Sequence, residues 1–332
     1  MRIVTADDIV RVLTYELLVD ALADAFCGDI AVPVRHHHTL AQPGTDATLL
    51  LMPAWTQARP AKVGTGFASG RAPELNSAGE RFLGCKIVTV FPDNANAGKP
   101  SLYGQYFLMS GDTGEPLAVF EGRVLTAWRT AAASALAARY LARKDAAHLV
   151  MVGAGALAPH LVRAHAAMRP IERVTLWNRT RARAVATGFA LAESGIETNV
   201  SDDLEGAVRE ADIVSCATLS AVPLIHGAWL KKGAHVDLVG GFTPKMREAD
   251  DAAIKRARVY VDTRAGALKE AGDVADPLRR RIIKKSDIQG DLFELCRGSV
   301  KGRKTAAEIT LFKSVGSAIE DLAAAMLVWR RL

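Results

Sequence analysis

Two hydrophobic rhythms divide the chain. After Thr5, the apolar residues Ile9, Val12, Leu13, Leu17, Leu18, Leu22 and Phe26 recur every three or four positions, the spacing of one buried helical face. Thr5 supplies an N-cap, and Asp7 and Asp8 put acid in the first turn. Pro33 closes this helical region. Short apolar runs follow at 48–52, 86–90, 105–109 and 117–120, and they predict strands. The last two flank Ser110-Gly111-Asp112-Thr113-Gly114-Glu115, a turn-rich loop, so they predict an antiparallel hairpin. A long helix is predicted over 124–143.

After Asp145 the rhythm changes. Apolar runs at 149–152, 173–177, 213–217, 236–239 and 259–261 alternate with helical stretches. That alternation predicts an α/β fold with a parallel, doubly wound sheet and right-handed crossovers. The first run passes into Gly153-Ala154-Gly155-Ala156-Leu157-Ala158, a G-x-G-x-x-A turn that opens a helix. Gly153 permits the tight turn, Gly155 lets a pyrophosphate approach the backbone, and Ala158 lets helix and strand close together. The free N–H groups of the helix start would hold the phosphates, which assigns Gly153, Gly155, Ala156 and Leu157 to a dinucleotide. A site for NAD ordinarily carries an acid at the end of the next strand. Here that strand ends Trp177-Asn178-Arg179-Thr180-Arg181, without a carboxylate at the tip. Arg179 and Arg181 can pair with a 2′-phosphate, and Asn178 and Thr180 add hydrogen-bonding groups. The predicted cofactor is NADPH, with NADH as a second possibility; the alternative is that both arginines are ordinary surface charge. The stretch 314–332 is again helical and is expected to rejoin the first domain.

A chain of 332 residues is long enough for two domains. The boundaries are set at 1–127 with 312–332, and 128–311. A net charge of +6 is too mild to indicate nucleic acid. The basic clusters near Arg279-Arg280-Arg281 and Lys284-Lys285 read as solvated faces. The four cysteines are scattered, as reduced thiols of a cytoplasmic protein would be. The N-terminus lacks a signal-peptide pattern, and no run is long and apolar enough to predict a membrane span. His36-His37-His38 on a strand can show only two rings to one side, so no metal site is predicted.

Six ordered motifs carry a resemblance. They are Val32-Pro33-Val34-Arg35-His36-His37-His38, Leu83-Gly84-Cys85-Lys86-Ile87-Val88 and Leu125-Thr126-Ala127-Trp128-Arg129-Thr130-Ala131-Ala132-Ala133-Ser134. The glycine loop comes next, then Val239-Gly240-Gly241-Phe242-Thr243-Pro244-Lys245-Met246-Arg247-Glu248 and Ile309-Thr310-Leu311-Phe312-Lys313-Ser314-Val315-Gly316. Through them the chain resembles the ornithine cyclodeaminase/μ-crystallin family. The resemblance implies a Rossmann-type NAD(P)-binding domain. It also implies an α+β substrate-binding and dimerisation domain closed by the C-terminal helix, and hence a homodimer. Arg35, Lys86 and Arg129 match the family's positions for the substrate carboxylate. Thr130, Thr218, Gly240, Ser314 and Val315 fall beside the cofactor. The chemistry agrees: a guanidinium fork suits a carboxylate, a second cation fixes its rotation, and a lysine near other cations has a depressed pKa suited to acid–base work. The alternatives are a structural ion pair of Arg129 with Glu121 or another acid, and a strand lysine reaching solvent. Thr218 and Ser314 could equally be a turn residue and the N-cap of the last helix. Asp237 is expected at the end of a strand.

Two departures from the cyclodeaminases narrow the activity. Where those enzymes carry an aspartate after the glycine pair, this chain has Phe242, which cannot accept a proton. A carboxylate for the distal amine of ornithine would fall near Leu50, which cannot hold an ammonium. Both changes favour a smaller, apolar-bodied imino or keto acid, with Phe242 against its ring. The segment from Phe242 to Glu248 looks like that of Δ1-pyrroline-2-carboxylate reductases. The expected reaction is NADPH-dependent reduction of Δ1-pyrroline-2-carboxylate to L-proline, and of Δ1-piperideine-2-carboxylate to L-pipecolate. Hydride reaches the C=N carbon, and Lys86 or an ordered water relays the proton. The alternatives are an ornithine cyclodeaminase, an alanine dehydrogenase, or a non-catalytic μ-crystallin-like binding protein.

Overall fold

The computed structural model of the chain describes residues 1–57 and 79–332. Its backbone divides into two compact units, Met1–Thr130 with Ser317–Leu332, and Ala131–Gly316. In chain order the elements begin β1 (Arg2–Val4), α1 (Ala6–Val12), α2 (Tyr15–Cys27), β2 (Ile30–Ala31), β3 (His36–Leu40), β4 (Ala47–Thr56), β5 (Phe82–Val90), β6 (Leu102–Ser110), β7 (Pro116–Glu121) and α3 (Gly122–Leu141). They continue with β8 (His148–Val152), α4 (Ala158–Met168), β9 (Arg173–Trp177), α5 (Arg181–Ala192), β10 (Thr198–Val200), α6 (Leu204–Glu210), β11 (Ile213–Cys216) and β12 (His235–Leu238). The last are α7 (Asp251–Arg256), β13 (Arg258–Val261), α8 (Arg264–Glu270), α9 (Gly272–Arg279), β14 (Ile288–Asp291), α10 (Leu292–Cys296), β15 (Thr310–Lys313) and α11 (Ala318–Arg331).

The first unit is a mixed sheet in the order β1-β7-β6-β5-β4-β2, with β3 also on β4. Burial alternates along β5: Phe82, Gly84, Lys86 and Val88 are buried, while Leu83, Cys85 and Ile87 are half-buried. The inner face is covered by α11, which packs on β4, β5, β6 and α2. Residues 318–328 of α11 are all buried, so this helix is core on every side. The apolar rhythm after Thr5 predicted one helix, but the structure has two. Leu13 is extended, and Thr14 starts a new helix by accepting a hydrogen bond from the Leu17 N–H at 3.4 Å. The rhythm survives the break because Ile9, Leu13, Leu18, Leu22 and Phe26 all enter one core. Thr5 caps α1 in a reciprocal capping box with Asp8. The expected hairpin is β6–β7, with Tyr106 opposite Phe120.

The second unit is an all-parallel sheet ordered β10-β9-β8-β11-β12-β15-β13-β14. The chain runs outward from β8 through β9 to β10, then returns to the other side of β8 for β11 and β12. This reversal between β8 and β11 is the topological switch point of a Rossmann-type fold. Three strands escaped sequence reading. β10 and β14 are short and largely polar, and β15 holds Thr310 and Lys313 in a four-residue run. Consequently the last helix starts at Ala318, and Ser314, Val315 and Gly316 form the exit from β15. Among the described residues, no helix is long and apolar enough to cross a membrane.

Asp237 is not at a strand end. It lies within β12, fully buried, accepting from Ser215 Oγ at 2.7 Å and facing His165 Nε2 at 3.1 Å. His235 points to the same face and meets Thr310 Oγ1 at 3.0 Å. Burial pushes the His235 imidazole from 6.5 down to about 3, against the opposing pull of Asp237. A buried neutral histidine therefore stabilises the fold fully above pH 6.5. That stability is lost as pH falls from there toward about 3, because only the unfolded chain takes up the proton. One proton amounts to ~1.4 kcal/mol per pH unit. Denaturant titrations between about pH 6 and 4 are expected to show His235→Gln flattening the acid limb of stability by up to that slope. Parallel acid limbs for the two proteins would contradict a neutral His235.

Candidate active site

In the first unit, strand register builds one row across the inner face. Met52 on β4, Lys86 on β5, Tyr106 on β6, Phe120 on β7 and Val4 on β1 stand side by side. Over this row the first turn of α11 places two adjacent acids. Lys86 Nζ lies 3.0 Å from Asp321 Oδ1 and 2.9 Å from its Oδ2. From α3, Arg129 Nε donates to Asp321 Oδ1 at 3.0 Å, and its terminal nitrogen donates to Glu320 Oε2 at 2.5 Å. Side-chain exposure is 3% for Lys86, 7% for Arg129, 1% for Glu320 and 0% for Asp321, so water screens none of these charges. Burial, followed by the Arg129 charge, pushes Lys86 down to about 8 against the pull of Asp321 and Glu320. Burial also opposes the Arg129 charge, but Asp321 and Glu320 outweigh it and raise its pKa above the ordinary range.

This geometry corrects one inference. A ligand carboxylate is not needed to satisfy Arg129, because Glu320 and Asp321 already do so. Glu121 is not the partner; it accepts the Val124 N–H at 2.6 Å at the start of α3. Nor does Lys86 snorkel to solvent, since it is enclosed. Glu320 and Asp321 were missed in the sequence, although a signal existed. Two adjacent acids inside an otherwise apolar helix, between Ile319 and Leu322, require buried cationic partners.

Arg35 is half-buried and directly precedes β3. Its neighbour His36 is the first paired residue of β3, opposite Leu51. Leu50 is on the same face as Lys86, between His37 and Val88, so that position carries no carboxylate. Thr130 is buried beside Arg129 on α3. The rings of His36 and His38 lie 6.3 Å apart on β3, and no group of three metal-ligating side chains occurs among the described residues.

In the second unit, five sequence-predicted segments follow the carboxyl ends of neighbouring strands. They are Gly153 after β8, Asn178 after β9, Thr218 after β11, Gly240 after β12 and Ser314 after β15. Gly153 has φ +105°, and a Cβ there would stand 2.6 Å from the Ala217 carbonyl oxygen. Only glycine meets both demands. Around Gly155 a Cβ would meet nothing within 4 Å. Next to that space, α4 starts at Leu157 and Ala158 without a side-chain cap; the Ala158 N–H donates to the Gly155 carbonyl at 3.0 Å, and Pro159 carries no N–H. Exposed Ala156 completes the turn. Open space at a helix start fits a pyrophosphate. Asn178 Oδ1 accepts from the Ala154 N–H at 3.2 Å, and its Nδ2 donates to the Thr180 carbonyl at 2.9 Å, tying the glycine turn to the end of β9.

Of the two arginines expected at a 2′-phosphate, Arg181 pairs with Asp202 at 2.7 Å on the surface. Arg179 is exposed and shows no ion pair among the described residues. Ser314 does not cap the last helix. Its N–H donates to the Leu238 carbonyl at 3.2 Å, and the N–H groups of Val315 and Gly316 converge on Asp262 Oδ2. Phe242 is 45% exposed. Thr218 is more than a turn residue, because its N–H and hydroxyl both donate to Glu248.

Comparison with known proteins agrees with this architecture. A Delta(1)-pyrroline-2-carboxylate reductase from Colwellia psychrerythraea is 36% identical over 337 residues, covering 100% of this chain and 99% of that protein. The structure of Thermococcus litoralis Delta(1)-pyrroline-2-carboxylate reductase in complex with NADH and L-proline superposes with a TM-score of 0.87 at 29% identity, covering 100% and 97% of the two chains. An archaeal alanine dehydrogenase dimer with bound NAD gives 0.84 at 26% identity, covering 100% and 95%. The family model for ornithine cyclodeaminase/mu-crystallin proteins matches residues 72–332. The chain therefore belongs to the ornithine cyclodeaminase/mu-crystallin family.

Proposed function

We propose that the protein is a nicotinamide-dependent imine reductase converting Δ1-pyrroline-2-carboxylate to L-proline, with Δ1-piperideine-2-carboxylate as a second substrate. The observation that carries this reading is the buried Lys86–Arg129 pair, set on a face without a second carboxylate at Leu50 and in a chain with Phe242 after its glycine pair. Arg129, Lys86 and Arg35 offer three cations to an α-carboxylate, with Arg129 already donating from Nε and one terminal nitrogen to Asp321 and Glu320. Glu320 and Asp321 already balance the first two cations. A zwitterionic iminium acid adds no net charge to those four side chains. Lys86, at about 8, can pass a proton to or from the imine nitrogen near neutrality. The bound dihydronicotinamide supplies the hydride that the C=N carbon accepts. A cyclodeaminase would need an acid in place of Phe242 and a home for a distal ammonium, and neither residue supplies one.

The preferred cofactor is NADPH. Arg179 is free to pair with a 2′-phosphate, and no carboxylate stands at the β9 tip to hold a ribose hydroxyl. The assembly is a homodimer built on the outer face of the first unit's sheet. There Cys85, Ile87, Phe107, Met109 and Pro116 line a shallow apolar hollow that a second copy would cover. The dimeric alanine dehydrogenase of similar fold supports this assembly.

Substrate assays and two variants test the reading. Δ1-Pyrroline-2-carboxylate should drive NADPH oxidation, while ornithine should release no ammonia. Arg129→Lys keeps a cation against Glu320 and Asp321 but loses the fork. Its kcat/KM for the imine is expected to fall at least ~30-fold, about 2 kcal/mol, with NADPH affinity unchanged. A fall below ~3-fold removes Arg129 from substrate recognition. Arg179→Ala should raise KM for NADPH about 10-fold or more and leave KM for NADH unaltered, as loss of one charge-assisted phosphate contact requires. Equal effects on both nucleotides would refute NADPH preference at this position.

A further inference from the structure

Glu248 closes the motif that begins at Gly240, yet binding and chemistry as described leave it without a task. It is fully buried in the second unit. Its Oε1 accepts the Thr218 N–H at 2.7 Å and the Thr218 hydroxyl at 2.9 Å. Its Oε2 accepts the Gly240 N–H at 2.7 Å and the Gly241 N–H at 3.2 Å. One carboxylate thus sews the turn after β11 to the turn after β12. The seam is tight, because a Cβ on Gly240 would stand 1.9 Å from the Thr218 carbonyl oxygen and 2.5 Å from Glu248 Oε1.

The carboxylate is itself braced. Lys313, at the end of β15, places Nζ 3.8 Å from Glu248 Oε2 and 3.5 Å from Asp273 Oδ2. Asp273 Oδ1 accepts the N–H groups of Glu248 and Ala249 at 2.8 and 3.0 Å. Lys313, Glu248 and Asp273 are all 0% exposed. Apolar residues of similar volume commonly stabilise a core as well as buried charges do, so three of them at one spot call for a reason beyond stability. Their place supplies it. They sit at the carboxyl edge of the sheet on the β11-β12-β15 side of the switch point, and the Thr218 turn they hold packs against the glycine turn, where a Cβ on Gly153 would stand 3.1 Å from Thr218 Cγ2.

We propose that Glu248, braced by Lys313 and Asp273, is a positioning residue for hydride transfer that fixes the Thr218 and Gly240–Phe242 turns relative to each other. This rests on the reading above that those turns face the nicotinamide. On that reading the glycine turn and Asn178 hold the pyrophosphate end, so losing the seam weighs more on nicotinamide placement than on cofactor affinity.

Glu248→Gln and Glu248→Asp test the division. Gln presents an amide nitrogen to backbone N–H donors, and Asp keeps the charge but falls short of the seam. Both are expected to bind NADPH within ~3-fold of the parent, to lose the fluorescence enhancement of bound dihydronicotinamide, and to drop kcat at least ~30-fold. A merely structural role would instead lower the melting temperature and leave kcat of the folded protein intact. The proposal is overturned if either folded variant keeps kcat within ~3-fold, or if Kd for NADPH rises by the factor that kcat falls. Should neither variant fold, Thr218→Val removes one of the four bonds and decides the matter. A kcat loss of about 3- to 10-fold at unchanged Kd supports positioning, and an unchanged kcat overturns it. If the parent protein reduces no imine, the catalytic reading fails on its own, and the fluorescence of bound NADPH still reports whether Glu248 places the ring.

Discussion

Buried charges persist only where their partners are held as firmly as they are. In the first unit that constraint organises the whole inner face. Lys86 can occupy the middle of a sheet, and Arg129 an alanine-rich helix, because α11 delivers Glu320 and Asp321 to them. The C-terminal helix is therefore both the lid of the core and the electrostatic half of the candidate site. Removing any one of the four side chains would leave a buried charge uncompensated. On the proposed reading, binding an acid and folding make demands on the same residues.

The second unit solves a related problem with backbone. Parallel strands leave N–H groups free where each turn begins, and these must find acceptors. Asn178 accepts from the glycine turn, Asp262 from the β15 exit, and Glu248 from the turns after β11 and β12. Side-chain oxygens thus hold the carboxyl edge of the sheet in one shape before any nucleotide arrives. Around Gly155 the turn is left open beside an uncapped helix start. Rigidity surrounds that opening on both sides of the switch point, which suits a ligand whose two ends must be placed independently.

Much of this was legible in the residues, and the misses share a cause. The parallel sheet, the glycine turn and the β6–β7 hairpin followed from local rhythm and turn chemistry, which act over a few residues. Lys86 and Arg129 could be singled out as cations in apolar settings, but Glu320 and Asp321 stand about 190 residues or more from them. Only the fold brings such distant residues together. The break at Leu13-Thr14 was hidden because two helices sharing a core keep one periodicity. Asp237 looked terminal because the neighbouring residues of β12 are followed by glycines. Its burial with Ser215, His165 and His235 is a cross-strand fact. Glu248 was visible as the end of a motif, and its four bonds were not, since they depend on how two turns approach each other.

On the proposed reading, the first unit's cations recognise the substrate by its carboxylate. That is the property on which imine reduction here depends. Calorimetric titration of the protein–NADP+ complex with L-proline and with L-prolinamide, which differ only in that group, measures it directly. A carboxylate gripped by Arg35, Lys86 and Arg129 should make L-proline bind at least ~100-fold tighter, about 2.7 kcal/mol. Affinities within ~3-fold of each other would show that these cations serve the fold and do not read the acid.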